Sequence, residues 1–248
     1  MAKPRIAARG ILLDKDGTLI DFRATWVPAY RGVAAELAER LGGGAALATR
    51  LLARAGYDTA RDSFAPDSLL LWATNDAIAD FWAATPEIAG AGSGPAGGID
   101  VRAVVHRHFA DLDRYPPQPV GDLPALLARL RDRGLRLGVA TMDGTAVARA
   151  TMARLGIAAQ LDFVAGADAG HGEKPSPGMV MAFCAACGLR PAEVIMVGDT
   201  AADLVMARRA GCAAAIAVLT GATGSEQLAP LADHVLASVQ EIEHLLAP

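Results

Sequence analysis

An unbroken apolar run ends the stretch "GILLD", residues 10–14, which an Asp-Lys-Asp-Gly turn then closes. A run this short, ended this way, reads as a buried strand. From about Trp26 to Leu112 the apolar spacing becomes helical with polar interruptions, as in "YRGVAAELAERL", "LLLWATNDAIADFW" and "VRAVVHRHFADL". "TPEIAGAGSGPAGG", residues 85–98, reads as a loop, and "RYPPQPVGD" ends the helical stretch because proline cannot continue it. After about Asp122 the pattern alternates. Helix "LPALLARLRDRG" precedes strand "LRLGVAT", "TAVARATMARLG" precedes "DFVAG", "GMVMAFCAACG" precedes "VIMVGD", and "AADLVMARRAG" precedes "AAAIAV". "SVQE", 238–241, has the form of a capping box opening a last short helix. Continuous apolar strands alternating with helices predict an α/β fold: a Rossmann-like parallel sheet covered by helices on both faces. The core is residues 1–20 and 119–248, and residues 21–118 form an inserted helical domain.

Composition sets limits on this picture. With 248 residues, 52% of them hydrophobic, the chain can bury a large core. Its 23 basic and 27 acidic residues leave a net charge of −4, which argues against nucleic acid or an anionic membrane surface as the main partner. No stretch is long and apolar enough to span a membrane, and the opening "MAKPRIAARGILLD" lacks the features of a secretory signal. Three cysteines point to reduced thiols and a cytoplasmic location rather than to a disulfide framework. Oligomeric state is left open between monomer and homodimer.

Ligands of open parallel sheets sit at the carboxyl ends of the strands. The residues falling there are Asp14 and Asp16 after the first strand, Thr141 after "LRLGVA", Lys174 in the loop after "DFVAG", and Asp199 after "VIMVG". Asp14 and Asp16, two apart, can face one point, and Gly17 permits a sharp turn beside them. Two such carboxylates about 4 Å apart repel by roughly 4 kcal/mol at an effective dielectric near 20, so a cation is expected. An all-oxygen donor set favours Mg²⁺. Cation, ammonium and hydroxyl together suit a phosphoryl group, with Asp14 as nucleophile and Asp16 as general acid and base.

"DKDGT", "GVATMD", "EKPSP" and "VGDTAAD", in this order, resemble the four motifs of the haloacid-dehalogenase-like hydrolase superfamily, across about 150 residues of core. The resemblance implies a phosphatase that works through an aspartyl-phosphate on Asp14. Asp16 would be its acid/base, and Thr141 with the Met142 backbone N–H would bind phosphate. Lys174 would position nucleophile and phosphate. Mg²⁺ would sit on Asp14, the Asp16 carbonyl and Asp199, with Asp203 in its outer shell. The insert is similar to the family's helical cap, expected to close over the strand ends and select the leaving group. "DKDGTLIDFRATWVPAY" and "KPSPGMV" look closest to the phosphoglycolate-phosphatase-like branch, so the implied substrate is a small-molecule phosphate ester. Met142 departs from the family, which often has asparagine there. A phosphosugar mutase and a non-catalytic phosphate-binding protein are the alternatives. A phosphonate hydrolase is disfavoured because no lysine lies between Lys15 and Lys174.

Other features have plainer readings. Asp199 can instead cap a helix, and Asp203 can act as a first-turn acid. "GSGPAG", 92–97, matches a Gly-x-Gly-x-x-Gly pattern but follows no strand and reads as a loop. Cys184 and Cys187 read as core-facing thiols, and His106 and His108, two apart on a helix, face different sides. His171 reads as a loop residue near Lys174. Arg23 is a candidate to meet a substrate carboxylate, or an ordinary surface residue. Trp72 and Trp82 are expected to be buried.

Overall fold

The computed structural model describes residues 5–65, 67–90 and 98–247; the 92–97 loop reading lies outside them. In chain order the regular elements begin with β1 (Gly10–Leu13), α1 (Phe22–Arg40), α2 (Gly44–Arg54), β2 (Tyr57–Asp58) and β3 (Ser63–Phe64). Next come α3 (Asn75–Ala83), α4 (Pro86–Ala89), α5 (Val101–Ala110), α6 (Leu123–Asp132), β4 (Arg136–Ala140), α7 (Thr145–Arg154) and β5 (Phe163–Ala165). The last are α8 (Gly178–Cys187), β6 (Val194–Gly198), α9 (Ala201–Ala210), β7 (Ala214–Val218), α10 (Ser225–Leu228) and β8 (His234–Leu236). The chain divides into two compact units, Met1–Arg23 with Pro117–Pro248, and Ala24–Pro116. Among the described residues, no helix is long and apolar enough to cross a membrane.

The first unit is built on a six-stranded sheet of order β5-β4-β1-β6-β7-β8, every pairing parallel. Alternation along each strand divides the apolar residues between two faces. Ile11, Leu13, Val139, Ile195 and Val197 join the α6 leucines and the C-terminal turns at Val239 and Ile242. Leu12, Val194 and Met196 instead meet Met179, Val180 and Phe183 of α8 and Leu204 of α9. Burial of each such leucine or phenylalanine is worth about 1.5–3 kcal/mol. Both faces are covered, so the strands read as continuous apolar runs. Strand order reverses at β1, which lies between β4 and β6, and a crevice for ligands is expected there.

The sequence reading missed β8, whose three residues are too short to stand out. The C-terminal capping signal opens a 3-10 helix, Val239–Leu245: Ser238 accepts the Gln240 N–H, while Glu241 reaches the Ala237 N–H. In the second unit the expected run of helices is interrupted by the antiparallel pair β2–β3. "LLLWATNDAIADFW" is split as well. Thr74 accepts the Ala77 N–H and starts α3, leaving a 3-10 turn at Leu69–Leu71. Trp72 falls in the break and is 56% exposed, contrary to expectation, whereas Trp82 is fully buried and donates its indole N–H to the Leu51 carbonyl. Part of the expected 85–98 loop is helical, with Pro86 starting the single turn α4. Its aromatic core sets Trp26 and Tyr30 edge-on to Phe109. His108 is buried between Glu36 and Tyr115 while His106 pairs with Asp76 in solvent, so the two histidines do face different sides.

Gly138 of β4 is held by packing. A Cβ there would lie 2.7 Å from the Phe183 ring and 3.1 Å from Leu12. Gly138→Ala is expected to cost about 1–3 kcal/mol through overpacking, read as a lower urea midpoint. The cost should shrink in a Phe183→Leu background; an unchanged cost would refute the steric account.

Candidate active site

All the candidate residues found at strand ends belong to the first unit, and the structure brings them together. β1 stops at Leu13, paired with Val139 of β4 and Val197 of β6, so the residues following all three strands emerge along one rim. The Asp14 N–H donates to the Val197 carbonyl at 2.8 Å, which fixes the start of the loop. Asp14, Thr141, Lys174, Asp199 and Asp203 are all buried, none more than 8% exposed.

The Lys174 ammonium binds Asp14 Oδ1 at 2.5 Å and Asp203 Oδ1 at 2.6 Å. Burial opposes its charge, but Asp14 and Asp203 outweigh that effect and hold Lys174 above the ordinary lysine range. Asp14 is raised to about 7, mainly by burial, with Lys174 working against the rise and Asp203 and Asp16 adding to it. Asp199 is also raised well above the usual carboxylate range, by burial and then by Asp14 and Asp203. The carboxylates of Asp14, Asp199 and Asp203 each bring an oxygen within 4.8 Å of the others. Asp14 Oδ2 and Asp199 Oδ1 are buried and accept no hydrogen bond. Buried carboxylate oxygens in that condition are costly, and together they form the hard, anionic donor set that a divalent cation fits.

Glycines shape the space around Asp199. Gly17 has φ +84°, and a Cβ on it would lie 2.3 Å from Asp199 Oδ2; one on Gly221 would lie 1.7 Å away. The Thr220 hydroxyl donates to the Gly17 carbonyl at 2.6 Å and ties these two loops together. Thr200, rather than Asp199, caps α9, with Asp203 completing a capping box back to the Thr200 N–H. Asp203 therefore serves the helix start and Lys174 at once.

Asp16 brings no carboxylate to the three-carboxylate group. Its Oδ1 lies 2.6 Å from the Lys15 ammonium, and its Oδ2 accepts the Thr141 hydroxyl at 3.2 Å. The two aspartates thus go to separate ammonium groups, and the sequence reading, which treated Lys15 as a spacer, missed this. It also missed Asp143, which is buried beside Lys15, together with Thr220 and Gly221. A lysine between two aspartates at the end of a buried strand was the available signal. His171 lies apart, its ring 6.1 Å from that of Phe163. Cys184 and Cys187 are free thiols packed with the apolar cluster of α8, as expected.

Residues 8–211 match the model of the haloacid dehalogenase-like hydrolase family. The chain is 34% identical over 126 residues to a phosphoglycolate phosphatase of Rhodospirillum rubrum, covering 48% of this chain and 52% of that protein. It is 32% identical over 106 residues to an N-acetylmuramic acid 6-phosphate phosphatase of Pseudomonas aeruginosa, covering 40% and 47%. The chain therefore spans about half the length of these curated relatives. Its fold is similar to the crystal structure of a Haemophilus somnus protein described as a predicted phosphoglycolate phosphatase, with a TM-score of 0.71 at 17% identity, over 96% of this chain and 97% of that one. With four motifs gathered on one rim of a parallel sheet, and a family match over most of its length, the chain belongs to the haloacid dehalogenase-like hydrolases.

Proposed function

We propose that the protein is a Mg²⁺-dependent phosphomonoesterase that hydrolyses a small phosphorylated metabolite of the phosphoglycolate type through an aspartyl-phosphate. The observation that carries this reading is the pair of buried, unpartnered oxygens on Asp14 and Asp199 beside the Lys174 ammonium. Asp14, the Asp16 carbonyl and Asp199 would hold the metal, which when bound supplies positive charge for the phosphoryl oxygens. The names of the two curated relatives support a phosphate monoester as substrate, and they differ in which ester is cleaved.

The chain's own residues divide the work. Lys174, the Thr141 hydroxyl and the Met142 backbone N–H hold the phosphoryl oxygens. A side-chain change at 142 leaves that N–H in place, so methionine is compatible with this role. An Asp14 oxygen forms a bond to phosphorus as the ester P–O bond breaks. Asp16, protonated, gives its proton to the departing alcohol oxygen. The resulting Asp16 carboxylate then takes a proton from water, whose oxygen attacks the phosphorus. The bond between phosphorus and Asp14 breaks, releasing inorganic phosphate and restoring the Asp14 carboxylate.

Phosphate release from p-nitrophenyl phosphate and from 2-phosphoglycolate tests the reading. Release is expected with MgCl2, is lost in EDTA, and falls by roughly a thousandfold or more in Asp14→Asn. Equal rates in all three conditions would remove the mechanism. Phosphate moved to another hydroxyl of a sugar phosphate, with none set free, would point to a mutase instead.

The metal assignment has its own test in stability. Because burial raises Asp14 to about 7 in the folded chain, the folded state binds more protons than the unfolded state between pH about 4 and about 7. Metal-free protein therefore loses stability as pH rises through that window, by a few kcal/mol at most. A divalent cation that prefers the carboxylate form should offset the loss above the window. Thermal melts should show a larger MgCl2 shift at pH 8 than at pH 5; equal shifts, or none, would argue against the site.

A further inference from the structure

Asp16 is held by a second buried ion group, separate from the three-carboxylate group. Only 1% of the Lys15 side chain is accessible, and its ammonium lies 2.6 Å from Asp16 Oδ1 and 3.4 Å from Asp143 Oδ2. Asp143 is 4% exposed, and its Oδ1 accepts the Gly144 N–H at 2.8 Å, just before α7. The Asp143 N–H donates to Thr141 Oγ1 at 3.1 Å, and that hydroxyl donates to Asp16 Oδ2 at 3.2 Å. The network thus links the loop after β1 with the loop after β4. An ammonium removed from water is tolerated only when paired and hydrogen-bonded, and here the short contact is to the carboxylate proposed as the acid.

Thr141 explains why that contact matters. Its hydroxyl has one proton. In this structure the proton goes to Asp16 Oδ2, while in the proposed reaction it goes to a phosphoryl oxygen. Substrate binding therefore diverts the Thr141 donor and leaves Oδ2 to face the leaving group, while Lys15 keeps its hold on Oδ1. A carboxyl group held at one oxygen gives a proton from the other, or as carboxylate takes one there, along a defined direction, and proton transfer depends steeply on such placement.

We propose that Lys15 and Asp143 are positioning residues for Asp16: Asp143 anchors the Lys15 ammonium, which fixes one Asp16 oxygen so that the other can serve the leaving group. The inference rests on the phosphatase reading. It extends that reading to two residues that neither touch the phosphoryl group nor hold the metal.

The test compares two esters of similar size, p-nitrophenyl phosphate and phenyl phosphate. Phenol is the weaker acid and depends more on a proton from Asp16 as it departs. The ratio of kcat/KM values for the two esters, measured on one preparation, is independent of how much of the enzyme is folded. In Asp143→Asn and Lys15→Met, phenyl phosphate should lose about tenfold more than p-nitrophenyl phosphate, in kcat and with KM nearly unchanged. Lys15→Arg, which keeps the charge, should recover part of that difference. An unchanged ratio, or loss of both activities in a variant that melts like wild type, would overturn the positioning role and leave the phosphatase reading standing. A wild-type protein inactive on p-nitrophenyl phosphate would overturn both.

Discussion

Like charge buried at one rim of the sheet is the constraint on which the rest of this structure depends. Asp14, Asp143, Asp199 and Asp203 are buried, and Asp16 is one-fifth exposed; among the described residues, Lys15 and Lys174 bring ammonium groups against them. Taken by themselves, these five carboxylates and two ammonium groups carry three negative charges if all are ionised, and each close like-charged pair costs several kcal/mol at an intermediate dielectric. Burial first, and the neighbouring carboxylates after it, raise Asp14 and Asp199 above the usual carboxylate range. A fold that kept such a cluster without a cation or a proton to share would be losing stability to no purpose. The same imbalance gives the rim the anionic donor set that the proposed divalent ion would neutralise.

The scaffold tolerates this strain because it is rigid where the charges sit. β1 lies at the centre of the sheet, hydrogen-bonded on both sides, and its Ile11, Leu12 and Leu13 are wholly inaccessible. Apolar layers above and below fix the strand ends, so the side chains that follow them have little freedom to move apart. Glycine does the local shaping. Gly17 in its left-handed conformation and Gly221 let two loops close onto the Asp199 carboxylate, where any Cβ would collide with it. The site's geometry therefore follows from sheet packing and from two positions without side chains.

How much of this was legible in the sequence varies by region for physical reasons. The core strands were readable because burial on both faces writes continuous apolar runs, and the polar residues following those runs, Asp14, Asp16, Thr141 and Asp199, with Lys174 in the loop after β5, marked the rim. β8 was not, since three half-buried residues carry no such run. In the second unit, the break before Thr74 and the two-residue strands β2 and β3 depend on caps and tertiary contacts, which helical periodicity does not report. Trp72 was misread because an aromatic residue at a break points wherever the chain turns. At the site, the identities of Asp14, Asp16, Lys174 and Asp199 were visible in the sequence, but their partners were not. Two residues apart on a strand implies one shared face, and that implication fails once the strand ends at Leu13.

That failure bears on how adjacent acids come to differ. Had the strand continued, Asp14 and Asp16 would face one point and compete for the same counter-charge. Instead the chain turns at Lys15, and each aspartate takes its own ammonium: Lys174 for Asp14, Lys15 for Asp16. Asp14 then lies with Asp199 and Asp203 in a three-carboxylate group that could hold a cation. Asp16 lies against a hydroxyl and an anchored lysine, out of that group. A nucleophile needs a charged, metal-neutralised carboxylate, whereas a general acid needs an oriented oxygen that can carry a proton. One turn in a tripeptide gives the two identical side chains these different surroundings, and the lysine between them is what holds the second apart from the first.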